Sequence, residues 1–182
     1  MRLFHAGQVF VLAAALLAVP SAGWASAGGV AGAREGFRAR FTAILVARHS
    51  DKCLDVFTLS DELKLGTSVQ QWPCSDDHDG QVWNLTATGG GYYNFRDVAS
   101  GLCMEVLPAD RHSGAGLQLW TCVPGHRNQE WKLVQRDNGY FAVVVRHTGM
   151  CLDVRNALLR DGANVRQVTC VRGRKNQEWR LA

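Results

Sequence analysis

The sequence is short of several things, and each shortage removes a class of protein. No window of useful length carries apolar residues at helical spacing, so a helical bundle is excluded. The apolar run Val9–Val19 is about half the roughly 20 residues needed to cross a bilayer, so no membrane span is expected. No cysteine pair has the C-x₂-C spacing of a zinc site and no histidine keeps step with the cysteines in all three copies, so no metal and no cofactor are expected. There is no nucleophile motif and no carboxylate pair with supporting context, which argues against an enzyme. Charge of one sign is not in large excess: 20 Lys and Arg face 16 Asp and Glu, a net +4. With no recognition motif in view, that modest balance does not point to nucleic acid.

What is present begins with an export signal. Val9–Val19 is followed by Pro20 and small residues, and the segment closes on Ala25-Ser26-Ala27. That pattern reads as a signal peptide over residues 1–27, cleaved near Ala27, which places the protein outside the cell or in the periplasm. Removing it takes away Arg2 alone. Residues 28–41, rich in Ala, Gly and Arg, read as a flexible lead-in.

The rest is one phrase repeated three times. Gln81-Val82-Trp83, Gln129-Glu130-Trp131 and Gln177-Glu178-Trp179 place their tryptophans 48 residues apart. Cys53, Cys103 and Cys151 keep step, as do Cys74, Cys122 and Cys170. A fixed period sets the architecture before any single residue is interpreted. An even cysteine count in an exported chain reads as disulfides, and the repeat selects the pairs Cys53–Cys74, Cys103–Cys122 and Cys151–Cys170. Each closes a loop of about 20 residues, worth on the order of 3 kcal/mol.

Each repeat reads as four short strands. The first strands are Ala43–Ala47, Tyr93–Asp97 and Phe141–Val145. The second strands are the Cys-x-acid-Val tetrapeptides, which set Leu54 and Val56 on one face and Cys53 and Asp55 on the other. The third strands end at Trp72, Trp120 and Val168, and the fourth begin at the Gln-x-Trp phrases. Leu85, Leu133 and Leu181 follow each tryptophan on its own face, pointing into a shared core. Twelve such strands, none stable in a lone repeat, fit a closed three-fold all-β architecture with few exposed edges.

Three cysteine strands, three Val-Gln-Leu-Trp-x-Cys-like strands and three Asn-Gln-x-Trp-like phrases resemble the ricin B-type lectin family over residues 42–182. The resemblance implies an all-β β-trefoil of three four-stranded repeats, each with one intra-repeat disulfide. Six strands would form a barrel capped by three hairpins, with one shallow sugar pocket per repeat. In that family each pocket uses an acid from the second strand, Gln and an aromatic from the third, and Asn before Gln-x-Trp. A sugar ring stacks its apolar face on the aromatic, while its hydroxyls donate to the carboxylate and accept from the amide.

Carried over residue by residue, the resemblance assigns Asp55, Gln70 and Trp72 to the first pocket, with Gly80 where Asn is expected. Asp77, His78 or Asp79 stand near enough to substitute, although carboxylates cannot replace an amide donor. The second pocket takes Glu105 in place of Asp, with Gln118, Trp120, Asn128 and Gln129. The third keeps Asp153 and Asn176, but Arg166 replaces Gln and Val168 replaces the aromatic, so stacking is lost and Arg166 is free to pair with Asp153. The first two pockets rank level and the third last. Trp83, Trp131 and Trp179, with Gln81, Gln129 and Gln177, read as core anchors and loop-fixing amides. His49 and His147 read as turn residues. Asn84-Leu85-Thr86 is a glycosylation sequon set inside a predicted strand. Basic residues crowd Arg155–Arg180, a solvated face or a surface for anionic glycans or membranes.

The implied function is a secreted, non-catalytic lectin for galactose-like or other cell-surface glycans. The alternative, also by resemblance, is a cell-binding subunit of a multi-subunit toxin similar to cytolethal distending toxin, with a partner chain that carries the activity. A trefoil protease inhibitor would need a rigid projecting loop, and the loops here are short.

Overall fold

A computed structural model describes residues 40–57, 64–107 and 110–182. The expected signal peptide and nearly all of the expected lead-in lie outside the described residues. Thirteen strands form one sheet. In chain order they are β1 (Arg40–Ala43), β2 (Leu45–Ala47), β3 (Cys53–Val56), β4 (Val69–Trp72), β5 (Trp83–Gly89), β6 (Tyr92–Asp97), β7 (Cys103–Val106), β8 (Leu117–Trp120), β9 (Glu130–Gln135), β10 (Phe141–Val145), β11 (Cys151–Val154), β12 (Ala163–Val168) and β13 (Trp179–Leu181). The count exceeds the expected twelve because the first strand is interrupted at Ile44. Its amide and carbonyl bond instead to Ala182, at 3.0 Å each way, and tie the chain end into the sheet. The first strand also starts earlier than expected, at Arg40, since Arg40–Ala43 pairs along its length with Trp83–Thr86.

With β1 and β2 taken as one strand, six strands close a barrel through the antiparallel pairs β1–β5, β5–β6, β6–β9, β9–β10, β10–β13 and β13–β2. The other strands form three hairpins, β3–β4, β7–β8 and β11–β12. Asn164 opposite Gln70 and the bridges Ser68–Gln118 and Gly116–Arg166 join the hairpins into a cap. The fold is a β-trefoil.

Trp83, Trp131 and Trp179 are fully buried at the heart of the core. Each indole donates Nε1–H to a carbonyl of its own repeat's second strand: Leu54 at 3.2 Å, Met104 at 3.1 Å and Leu152 at 3.3 Å. A buried indole needs such a partner. Leu54, Val56, Met104, Val106, Leu152 and Val154 fill the same core. Their alternation holds, but the opposite face is not solvent: all four residues of each second strand are buried. The disulfides and the Gln-x-Trp glutamines cover it. The three disulfides pair as expected, with Cα atoms 5.1, 5.0 and 5.0 Å apart.

One irregularity in the repeat has a packing reason. Arg146 pairs with Glu130 of the Gln-Glu-Trp phrase at 2.7 Å, and Arg48 pairs in the same way with Glu178. The matching backbone bond in the remaining copy joins Val98 to Val82 at 3.0 Å. Both partners are apolar there, so the lone Val in Gln81-Val82-Trp83 leaves no buried charge without a counter-ion.

Candidate functional site

The loop before each Gln-x-Trp phrase is pinned by that phrase's glutamine. Gln129 donates Nε2–H to Thr121 O at 2.9 Å and accepts from Val123 N–H at 2.9 Å. Gln81 does the same with Pro73 O and Ser75 N–H, and Gln177 with Thr169 O and Val171 N–H. The pinned loop forms one wall of a depression, the hairpin strands the other. The equivalent carboxylates Asp55, Glu105 and Asp153 are all buried, and Glu105 and Asp153 lie in the lining of such a depression.

In the first pocket Gln70 Nε2 donates to Asp55 Oδ2 at 2.7 Å. Trp72 ends the strand after three buried residues and is 43% exposed, so part of its indole meets solvent. The missing Asn is supplied by geometry elsewhere. His78 Nε2 lies 2.9 Å from Asp55 Oδ1, although its N–H is not aligned on that oxygen, which accepts no directed hydrogen bond. Gly80 makes the space: a Cβ there would sit 3.3 Å from His78 Nε2. Burial raises the Asp55 pKa above the usual carboxylate range, opposed by the bonds from Gln70 and Gln81 and by His78. Of the three substitutes considered, the imidazole is the one that reaches the carboxylate.

In the second pocket Glu105 accepts from Gln118 at 2.8 Å on one oxygen and from Gln129 at 2.8 Å on the other. Asn128 reaches the second oxygen at 3.4 Å and Val106 O at 3.1 Å. The longer side chain thus keeps the expected contacts. Trp120 is 38% exposed at the rim. The depression measures about 500 Å³, with Trp120, Arg111, Arg127, Asn128 and His147 in its lining. Gln129, which the sequence reading placed both in the pocket and among the loop-fixing amides, is fully buried and holds the loop and Glu105. Asn128, one residue earlier, lines the depression.

In the third pocket Arg166 Nε donates to Asp153 Oδ1 at 3.1 Å, the pairing that the loss of Gln allows. Asn176 and Gln177 donate to Oδ2 at 2.8 and 3.1 Å, so both carboxylate oxygens are occupied. Arg166 also donates to Asn156 Oδ1 at 3.1 Å. Val168 stands at the position of the tryptophans.

Sequence reasoning missed the work of two histidines. His49 Nε2 lies 3.2 Å from Leu158 O and His147 Nε2 3.1 Å from Asp110 O, each joining the hairpin loop of a neighbouring repeat. Their matching spacing was the available signal. Asn84 lies within β5, opposite Thr42 and Arg96, and accepts from Arg40 Nε at 2.9 Å. Among the described residues no cluster of His, Cys, Asp and Glu has a metal-binding arrangement, and no helix is long and apolar enough to cross a membrane.

A profile of the ricin-type β-trefoil lectin domain matches residues 41–181. The chain belongs to the ricin-type β-trefoil lectin family. Comparison with curated proteins returns no match. Among solved structures, this ricin-type chain is 40% identical to the designed three-fold symmetric protein ThreeFoil, covering 78% of itself and 97% of that chain with a TM-score of 0.71. It is 32% identical to an exo-β-1,3-galactanase from Clostridium thermocellum, covering 78% of itself at a TM-score of 0.70, but spans only 30% of that enzyme's length. To the Haemophilus ducreyi cytolethal distending toxin it is 19% identical, with 78% and 82% of the chains covered and a TM-score of 0.62, a likeness of fold alone.

Proposed function

We propose that this ricin-type trefoil is an exported, non-catalytic protein that binds glycans with galactose-like sugars through its first and second pockets. The observation that carries the reading is a half-exposed tryptophan beside a buried carboxylate–amide pair in both: Trp72 with Asp55 and Gln70, Trp120 with Glu105 and Gln118. A large apolar ring left open on a rim is an unspent stacking surface, and the carboxylate and amide fix hydroxyl positions beside it. The three disulfides fit an oxidising compartment, in keeping with export. The galactanase likeness supports a galactose-type ligand.

In the first pocket Asp55 lies buried beneath the His78 ring, and Trp72 is the exposed surface offered to a sugar. In the second, Asn128 and Trp120 line the depression above a fully bonded Glu105. Open sites of this kind bind weakly one at a time, in the millimolar range or somewhat tighter, and hold a surface through several contacts at once. A glycan array probed with the oxidised protein tests the reading. Hits on terminal galactose or its close analogues support it, and silence from a folded protein overturns it. In the toxin-subunit alternative the same trefoil serves a catalytic partner, and a stable complex on co-purification would favour that reading.

A further inference from the structure

The three pockets share one scaffold but carry different charge on the same rim. The first loop, residues 75–80, has Asp76, Asp77 and Asp79; the second, residues 123–128, has His126 and Arg127; the third, residues 171–176, has Arg172, Arg174 and Lys175, and all of these are exposed. A rim that changes sign between equivalent sites sorts ligands by charge.

The third pocket is also the one that has lost the means to hold a neutral sugar. Val168 offers no ring to stack on, and Arg166 stands in place of the Gln beside the carboxylate. Arg166 separates two depressions, one of about 300 Å³ with Asn156, Arg174 and Asn176 in its lining and one of about 290 Å³ with Arg155 and Asn164 in its lining. Arg155 and Arg174 have no acidic partner among the described residues. Asp153 pairs with Arg166 at 3.1 Å, Asp137 with Arg172 at 3.0 Å and Asp161 with Lys52 at 2.7 Å, so none of these acids is left for Arg155 or Arg174. Asn156 and Ala157, which line the 300 Å³ depression, hold positive φ of 54° and 52°. Non-glycine residues seldom hold that conformation, and such strain collects at ligand sites.

We infer that the third repeat binds the anionic substituents, sulfate or carboxylate, of an acidic oligosaccharide along Arg155, Arg166 and Arg174. Guanidinium groups suit both anions, because two parallel N–H donors match two oxygens of either. Two adjoining depressions that share Arg166 suit an oligosaccharide of several units better than a lone ion. The site is separate from the two tryptophan pockets and does not depend on them.

Titration calorimetry at low salt tests the inference, with a heparin-derived hexasaccharide as the sulfate probe, an oligogalacturonide as the carboxylate probe and lactose as the neutral one. Binding of at least one acidic probe is expected, weakening steadily as salt rises. Arg155→Ala with Arg174→Ala should cost about tenfold or more in affinity, the value of one charge-assisted hydrogen bond. Both side chains are exposed, so folding is preserved, as the thermal melt will show. Trp72→Ala with Trp120→Ala should leave acidic binding unchanged, as should Lys132→Ala with Arg180→Ala, two exposed residues off the rim loop whose loss removes equal charge outside the two depressions. The inference is overturned if that charge control weakens binding as much as the arginine pair does, if binding is lost with the tryptophans, or if neither acidic probe binds the folded protein. Binding to phosphatidylglycerol vesicles without either oligosaccharide would overturn it too, in favour of a membrane surface.

Discussion

Replacing Gln129 by Leu isolates what the Gln-x-Trp amide contributes. The substitution keeps the approximate volume and removes three hydrogen bonds, to Thr121 O at 2.9 Å, from Val123 N–H at 2.9 Å and to Glu105 at 2.8 Å. Leucine satisfies none of those partners. Two neutral bonds are worth about 1 kcal/mol each and a bond to a carboxylate about 2 kcal/mol, so the expected loss is about 4 kcal/mol. That is a large share of the roughly 5–15 kcal/mol that a domain of this size holds in reserve. Glu105 keeps Gln118 at 2.8 Å, so the carboxylate is weakened rather than abandoned. Urea unfolding of the oxidised protein, followed by tryptophan fluorescence, measures the change directly. Gln177→Leu should behave alike, since it breaks the equivalent bonds at 3.2, 2.8 and 3.1 Å. A loss below about 1 kcal/mol in both, less than the worth of a single ordinary bond, would refute the assignment of loop fixing to these amides.

Removing the Cys151–Cys170 bridge as the double Ser variant should cost about 3 kcal/mol for a loop of 19 residues, read from the urea midpoint; no change would contradict it. Burial raises the pKa of Asp97, whose Oδ1 has no partner, as it does that of Asp55. The folded state therefore keeps these protons to higher pH than the unfolded chain, and stability should fall as the pH rises from the ordinary carboxylate value through the folded ones. Asp97→Asn should flatten that slope, by at most about 1.4 kcal/mol per pH unit; an unchanged slope would count against the assignment. Arg166→Gln with Val168→Trp should convert the third pocket into a neutral-sugar site, seen as added stoichiometry in a lactose titration. No gain would show that the pocket is closed for another reason.

The trefoil was legible because its determinants occur three times. A single Gln-x-Trp says little, but three in phase with six cysteines dictate hairpins, disulfides and a closed barrel. The break at Ile44 was not legible, since it answers to Ala182 at the far end of the chain. The Arg166–Asp153 pair was visible in outline, as an arginine placed where a neutral donor was due. The role of His78 was only one choice among three: nothing local says which neighbour of Gly80 turns inward, and the choice rests on the space that glycine leaves. Asn128 and Gln129 both reach Glu105 Oε2, and only burial separates them: Gln129 is fully enclosed while Asn128 lines the depression. The basic stretch near the C-terminus read as one surface, whereas folding divides it between a pocket rim and outward faces.

The most direct test of sugar binding is a lactose titration of the oxidised protein followed by calorimetry, beside Trp72→Ala, Trp120→Ala and the double variant. Each tryptophan is expected to carry one site, so each single variant should halve the stoichiometry and the double variant should bind nothing while its thermal melt stays that of the parent. Full binding by the folded double variant would contradict the assignment of the sugar sites to these two pockets.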